Sequence, residues 1–541
     1  MQAIFKSHSV HQQSLFPIDL NTLIPENHSS RLIDSVVEKL EIPAIISQYK
    51  GGGTSSYPPK MLIKILFYGY LNNTYSCRKI AKAIKENIHF MWLSGGLQPD
   101  FRTINDFRSQ KLKGNIEQLF SQLVLMMVDL DLISLEKQFI DGTKIEANAH
   151  KYSFVWRKSV EKHKAKLEDK IHTVLQEIGQ AIESDLIATP NQEHVNIDSK
   201  KLEEKIKEIN KNTKTAHLSK KDKKSVQKLE KEQLPKLKEY EKHIENFGER
   251  NSYSKKDIDA TFMRMKEDHM RNGQLKAAYN VQISTENQII THFSVHQKST
   301  DYTTLESHLE GFKNAYQKNS QQVIADAGYG SEQNYQMLDK QGVDFFIPYN
   351  MYRIEQTRKY QKNLFHAQNL FYNKELDFLV CPMGQRMEKI YTKQSKTTTG
   401  FLQEHSVYQA QNCQGCPMRG QCFNAKGNRR IEINHNLQRL KAKARENLES
   451  EIGKAIYSRR CVEPEPVFGN IKQNKHFKRF TLRKLTKINI EFGLIAIAHN
   501  FAKWIEKIRE FDLNQIHNDI NKAKKGFQRL FLNNYKFEAT F

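Results

Sequence analysis

Three acidic residues that lie far apart in the chain have the side-chain chemistry of a divalent-metal site. They are Asp141 in FIDGTKIEANA, Asp326 in VIADAGYG and Glu465 in EPEPVFGNIK. Carboxylate oxygens are hard ligands that suit Mg²⁺, and sites for phosphodiester chemistry commonly take them from segments that the fold brings together. The formal net charge of +23 favours a polyanionic partner. We therefore hypothesise an enzyme that cuts or joins nucleic acid.

Each acid also has an ordinary structural explanation. Asp141 could be a surface residue of a strand, and Asp326 could cap a helix that starts near Ser331. Glu465 could belong to a surface network of salt bridges, and Glu463 is a competing candidate two residues away. Taken one at a time, these acids leave both interpretations open.

A basic run interleaved with aromatic residues follows Glu465. Residues 466–490 contain no acid, and their cationic residues are Lys472, Lys475, Lys478, Arg479, Arg483, Lys484 and Lys487. The spacing of Glu465 and Lys472 predicts that a helix would place both on one face. An acid beside such a run is typical of a metal site next to a track for phosphates.

The elements that would position these residues change in kind along the chain. Residues 1 to about 135 show helical periodicity, which fits either a helix-turn-helix DNA reader or an ordinary helical bundle. Next comes a strand around Asp141, then two strands joined at Thr285-Glu286-Asn287, a helix, a strand ending at Asp326, a helix and a last strand, VDFFIPY. This order predicts an α/β layer with a mixed sheet, in which carboxylates at strand ends converge.

Between these strands lies a Lys/Glu-rich segment from Lys151 to about Lys256. Its apolar residues recur three and four apart, which predicts long amphipathic helices in a hairpin or coiled-coil arm. Its charge is explained either as a solvated face or as a contact with DNA.

The cysteines and the hydropathy pattern exclude other classes. Six cysteines in 541 residues are too sparse for a secreted disulfide framework. Four of them, Cys381, Cys413, Cys416 and Cys422, could be free thiols or a tetrahedral set of zinc ligands. The chain contains no run of about 18 apolar residues and begins without a signal-peptide pattern. We therefore expect no membrane partner and a cytoplasmic protein, in the nucleoid if the host is bacterial.

The motifs taken together resemble those of the DDE-type insertion-sequence transposases. The resembling group has DGT-x-I-x-AN-A, YN-x-Q and D-x-GY, followed by a Y-x2-R-x4-E-x6-K block with VEPVFG-x-IK. This chain has DGTKIEANA, YNVQ and DAGY, and then Tyr457, Arg460, Glu465 and Lys472 with the same gaps. Pro464 stands where the group commonly has a hydrophobic residue, but the spacing favours Glu465 over Glu463. IPENH, PDFRTINDFR and HNFAKWI extend the resemblance to nearly the whole chain outside the arm.

The resemblance implies an α+β fold around an RNase H-like mixed-sheet core that is interrupted twice. We expect a helical N-terminal DNA-binding domain at 1–135, and a catalytic core from 136–150, 272–350 and 450–510. A Lys/Glu-rich, coiled-coil-like helical insertion would span 151–271 and a Cys-rich insertion 351–449, with a basic C-terminal tail at 511–541.

The resemblance also implies a function. Asp141, Asp326 and Glu465 would hold two Mg²⁺ or Mn²⁺ ions, beside a structural Zn²⁺ on the cysteines. Tyr457, Arg460 and Lys472, extended along the basic run by Lys475 and Arg479, would hold the DNA backbone. The expected activity is excision and insertion of an insertion sequence, by phosphodiester hydrolysis and strand transfer at its terminal inverted repeats. The partners would be double-stranded terminal and target DNA, bound by a homodimer or a larger assembly. The alternatives are an inactive transposase-derived DNA-binding protein and an RNase H-like nuclease without strand transfer.

Overall fold

The first part of the fold is helical. The computed structural model describes residues 19–51, 55–183, 198–212, 220–265 and 273–510. Helix α2 buries Ile33, Val36 and Val37, whose spacing places them on one face. The helices before the first strand are α1 (Leu20–Leu23), α2 (Ser29–Lys39), α3 (Pro43–Ile46), α4 (Pro59–Leu71), α5 (Cys77–Glu86), α6 (Ile88–Leu93), α7 (Phe101–Asp106) and α8 (Ile116–Asp129).

An arm of helices follows the first strand. Its helices pack on one another through Ile171, Leu202, Leu229 and Leu237. The bounds of the helical insertion, 151–271, stay a prediction. Residues 184–197, 213–219 and 266–271 of that insertion lie outside the described residues. The elements in order are β1 (Lys137–Glu146), β2 (Phe154–Trp156), α9 (Arg157–Glu183), α10 (Ser199–Asn212), α11 (Lys220–Lys228), α12 (Leu234–Phe247) and β3 (Ser252–Ser254).

The central sheet has six strands within the described residues. Strand β1 is followed in this sheet by β4 (Thr261–Arg264), β5 (Leu275–Glu286), β6 (Ile289–His296), β7 (Gln322–Ile324) and β8 (Asp344–Phe346). Helix α13 (Leu305–Tyr316) connects β6 to β7, and α14 (Glu332–Lys340) connects β7 to β8. Strand β5 pairs antiparallel with β1, β4 and β6, whereas β7 pairs parallel with both β1 and β8. The predicted α+β class with a mixed-sheet core and a helical N-terminal region is thus confirmed.

Two local details of this sheet differ from the sequence-based expectation. The hairpin turn is formed by Asn287 and Gln288, whose φ angles are 54° and 62°, and β5 runs through Glu286. Two positive φ angles are typical of the two-residue turns that match the twist of a hairpin. Strand β4 was not predicted: it follows the charged arm in sequence but pairs with β5.

The Cys-rich region forms a second sheet, also missed by the sequence analysis. Its core contains Leu379, Met387, Tyr408 and Ile431. Within the described residues it is a five-stranded antiparallel sheet in the order β13-β12-β11-β10-β9. The elements are α15 (Tyr352–Glu355), α16 (Arg358–Gln361), β9 (Phe371–Asn373), β10 (Phe378–Val380), β11 (Arg386–Lys396), β12 (Leu402–Ala410), α17 (Arg419–Cys422) and β13 (Arg430–Ile433).

The last helices return the chain to the central sheet. They are α18 (His435–Glu449), α19 (Glu451–Ser458), α20 (Pro464–Gly469) and α21 (Leu485–Glu510). Helix α21 packs against both α4 and β6: the rings of Phe67 and Phe501 lie 5.9 Å apart, and those of Phe293 and Phe492 lie 5.5 Å apart. The N-terminal helices and the sheet therefore share one continuous core. The predicted basic tail at 511–541 lies outside the described residues.

Candidate active site

Three carboxylates from three separate elements converge on Arg460. Asp141 lies in β1, Asp326 lies two residues after β7, and Glu465 lies in the first turn of α20. The Nη2 atom of Arg460 is 3.9 Å from Asp141 Oδ1 and 3.7 Å from Asp326 Oδ2, and its Nη1 atom is 3.6 Å from Glu465 Oε1. The structure therefore brings the three predicted acids to one place.

The Arg460 guanidinium stands between the carboxylates. The three N–O distances exceed the roughly 2.7–2.9 Å of a direct charge-assisted hydrogen bond, so Arg460 forms no short hydrogen bond with any one of these acids. Because the three distances are similar, the three anions share one permanent cation. The Nε atom of Arg460 is buried and has no hydrogen-bond partner within the part of the chain that the structure describes. The described residues contain no group of three or more His, Cys, Asp or Glu that could hold a metal ion.

Backbone amides fix two of the carboxylates. Asp141 is 7% exposed, and its Oδ1 accepts a hydrogen bond from the backbone N–H of Gly142 at 2.8 Å. Asp326 Oδ1 accepts from Gly328 N–H at 2.8 Å and so caps the short 3₁₀ turn Ala327–Tyr329. Helix α14 has its own cap, Ser331. Asp326 is therefore a cap, as one interpretation held, but of a different element, and its Oδ2 still faces Arg460.

The geometry separates Glu465 from its competitor Glu463. Glu463 is 2% exposed, and its carboxylate accepts from the backbone N–H of Gln288 at 2.9 Å and from Arg459 Nη2 at 2.7 Å. It therefore ties the β5–β6 turn to the segment before α20. Glu465 instead has a half-exposed side chain that faces Arg460.

Tyr457 lies beside the carboxylates. It packs against the cluster of Phe139 and Ile324, at the end of α19. Burial raises the pKa of its phenol, Arg460 opposes that shift, and Asp326 adds to it. Sequence reasoning assigned Tyr457 and Arg460 to the DNA backbone. Arg460 faces all three acids, and Tyr457 lies close enough to Arg460 and Asp326 for their charges to act on its phenol.

The basic run takes up positions that its spacing did not predict. Lys472 lies in a π-helical turn, Asn470–Asn474, and is buried, so it does not share an exposed helical face with Glu465. A π turn adds a residue to the helical repeat and shifts everything after it around the axis. Lys475 is also buried, its Nζ donates to the Leu71 carbonyl at 3.3 Å, and burial lowers the pKa of its ammonium to about 8. Arg479 donates to the carbonyls just beyond β1, and its side chain is 48% exposed.

The four clustered cysteines lie at the second sheet, each half-buried. Cys381 and Cys413 pack against the same small core. Arg429 contacts two of the sulfurs: its backbone N–H donates to Cys413 Sγ at 3.4 Å and its Nη1 donates to Cys422 Sγ at 2.9 Å. The zinc site stays a prediction.

Sequence reasoning assigned no role to three residues behind this site, Gln282, Asp301 and Tyr329. Gln282 and Tyr329 are fully buried, and Tyr329 donates a hydrogen bond to Gln282. The available signal was the alternation of polar Asn280, Gln282 and Ser284 in a strand. Alternating polar residues usually indicate a solvated face, but here they face the interior.

Two family models match the chain. One, described as Transposase DDE domain, matches residues 380–505, and the other, described as Transposase domain (DUF772), matches residues 18–110. These matches support a transposase. Both fit a DDE-type insertion-sequence transposase, so the resemblance found in the motifs is confirmed. The first match contains Tyr457, Arg460 and Glu465, whereas Asp141 and Asp326 lie outside both.

No curated protein matches the chain. Among the described residues, no helix is both long and apolar enough to cross a membrane.

We predict that Arg460→Gln destabilises the protein, because three carboxylates then repel one another without their shared cation. The expected loss in the free energy of unfolding is about 1–3 kcal/mol, measured by denaturant unfolding in the presence of a chelator. Adding Asp326→Asn to Arg460→Gln should recover part of that loss, since one anion is removed.

Arg459→Gln is the matched control, because Arg459 pairs with Glu463 rather than with the three acids. The changes that Arg459→Gln and Asp326→Asn each cause in the free energy of unfolding should be additive. Strictly additive effects for Arg460→Gln and Asp326→Asn would contradict the shared-cation interpretation.

Proposed function

We propose that the chain excises and inserts its own insertion sequence, by metal-dependent cleavage and strand transfer at the terminal inverted repeats. The observation that carries this proposal is the convergence of Asp141, Asp326 and Glu465 from three distant segments. The net charge of +23 and the two transposase-family matches support a DNA substrate. We expect the reaction to take place in the cytoplasm, on nucleoid DNA in a bacterial host.

The donor set fits Mg²⁺ or Mn²⁺, because it consists of carboxylate oxygens on a central strand, a strand end and a helix. Asp141, Asp326 and Glu465 would hold the two ions. When bound, such ions supply an activated water or 3′-hydroxyl and stabilise charge on the leaving oxygen.

The neighbouring side chains would bind and orient the DNA. Arg460 would turn from the carboxylates to the phosphate, where its planar guanidinium can donate two parallel hydrogen bonds. Tyr457 packs against the cluster that contains Phe139, so the position of its ring is set before DNA arrives. Arg479, with its half-exposed side chain, is the proposed contact further along the backbone. Lys472 and Lys475 would have to leave their buried positions to make the same kind of contact.

A DNA-binding protein without activity would not need three acids around one cation, since each anion weakens attraction to phosphate. A nuclease without strand transfer would use the same acids. Joining of a pre-cut end to a target plasmid separates that alternative from a transposase: a transposase joins the two, and a nuclease does not.

Pairing of two element ends requires at least a dimer on DNA, and we propose that the helical arm α9–α12 contributes to that interface. The mass of the DNA complex tests this idea. Deletion of the arm should lower the assembly from a dimer to a monomer, and an unchanged mass would remove the arm from the interface.

Alanine in place of Asp141, Asp326 or Glu465 should reduce end cleavage by on the order of 10³-fold or more, because the acids act as one unit. End binding should remain close to wild type. The assay is metal-dependent cleavage of a duplex that carries the element's terminal repeat, with binding measured on the same duplex.

Glu463→Gln is the matched control, since it removes a nearby carboxylate that is bound by Gln288 and Arg459. It should keep cleavage while lowering thermal stability. Undiminished cleavage by Asp326→Ala would rule out the proposed function.

We also propose that Cys381, Cys413, Cys416 and Cys422 bind one structural Zn²⁺, for which Arg429 would have to release the sulfurs it contacts. Elemental analysis of the purified protein should find one zinc per chain, and Cys413→Ser/Cys416→Ser should remove it. Zinc-free protein with an intact second sheet would contradict this assignment.

A further inference from the structure

A polar cluster lies on the face of the central sheet opposite to Asp141. In the β1–β5 register, Asp141 is paired with Ile283 and Gly142 is paired with Gln282. Because successive residues of a strand face opposite sides, Gln282 lies behind the strand that carries Asp141.

Hydrogen bonds link this cluster to the loop that carries Asp326. The Tyr329 hydroxyl donates to Gln282 Oε1. Gln282 Nε2 donates to Asp301 Oδ1 at 3.0 Å, and Asn280 Nδ2 donates to the same oxygen at 2.8 Å. Tyr329 is three residues after Asp326, so the chain of bonds runs from the Asp326 loop to β5 and on to the 3₁₀ turn that begins at Asp301.

The Asp301 carboxylate, which can only accept hydrogen bonds, limits this cluster to one hydrogen-bonding arrangement. An ionised Asp301 can only accept, so both amides must turn their NH₂ groups toward it. The carbonyl oxygen of Gln282 then faces Tyr329, whose hydroxyl must donate. Each side chain thereby fixes the orientation of the next.

The sheet itself does not fix the position of Asp326. The parallel pairing of β1 with β7 ends at Phe139 and Ile324. Asp326 lies two residues further on, beyond the last paired residue, so its place across from Asp141 depends on what anchors its loop. Tyr329, fully buried in that loop, is such an anchor.

The absence of a side chain at Gly142 lets the cluster approach the strand. A Cβ atom at position 142 would lie 2.9 Å from Asp301 Oδ1, inside normal contact distance, and it would also collide with the Gln282 amide. The glycine next to Asp141 is therefore required by the cluster behind it and not by its own backbone angles, since it is not among the glycines with positive φ.

We propose that Tyr329, Gln282 and Asp301 are positioning residues, which hold the Asp326 carboxylate in place against Asp141 from behind the sheet. This role rests on the proposed function, because it is the metal-binding pair of aspartates that is positioned. The three residues act through the loop and the strand, and not as metal ligands.

The test is Mn²⁺ binding to the full-length, DNA-free protein by titration calorimetry, together with the Mn²⁺ dependence of end cleavage. Tyr329→Phe and Asp301→Ala should each weaken Mn²⁺ binding by about 10-fold, the lower end of the effect of residues that orient metal ligands. Asp301→Asn keeps an oxygen acceptor for the two amides and should restore most of the binding.

Tyr316→Phe is the matched control. Tyr316 is also buried and donates one hydrogen bond, to the Thr291 carbonyl at 2.6 Å, away from the cluster. It should lower thermal stability about as much as Tyr329→Phe but leave Mn²⁺ affinity unchanged. Equal Mn²⁺ affinities for the Tyr329→Phe, Asp301→Ala and wild-type proteins would overturn the positioning role.

Asp326→Ala separates this result from failure of the proposed function. If the wild-type protein binds Mn²⁺ and Asp326→Ala does not, the metal site is supported. The Tyr329→Phe and Asp301→Ala variants then test only the positioning role. A wild-type protein that binds no Mn²⁺ would overturn the proposed function, and the positioning role with it.

Discussion

Three like charges held within reach of one guanidinium are the constraint on which the rest of the structure depends. Carboxylates repel one another at short range, and burial strengthens that repulsion. Arg460 offsets it in this structure, but only because β1, the end of β7 and α20 bring the acids to the same place. The elements around the three carboxylates must therefore be rigid enough to hold them close together against this repulsion.

The two insertions do not disrupt the site of the three carboxylates, because of where they join the core. The helical arm leaves after β1 and returns before β4, and its helices have their own core. The Cys-rich sheet follows β8 and returns through α18 and α19, which carry the chain to Tyr457 and Arg460. Helix α21 then packs between the N-terminal helices and the sheet. The acids can therefore be distant in sequence and still share one rigid core.

Sequence reasoning predicted what depends on local pattern and on motif spacing. It placed Asp141 within a strand and Asp326 at the end of one, because apolar runs mark both strands. It could not foresee Arg460 among the carboxylates, since that position is a tertiary consequence of three elements meeting. Lys475 was predicted to hold the DNA backbone, but its position under the N-terminal helices depends on a long-range contact with Leu71. Strand β11 was missed because most of its residues are exposed, so it lacks the alternating apolar pattern. The π turn that displaces Lys472 has no composition signal of its own.

The central claim is that Asp141, Asp326 and Glu465 form one metal site. It is tested most directly by anomalous diffraction from crystals grown with Mn²⁺. We predict an anomalous peak bounded by the three carboxylates, with the Arg460 guanidinium moved away from them. A structure at saturating Mn²⁺ in which no ion contacts these acids, and Arg460 still lies between them, would contradict it.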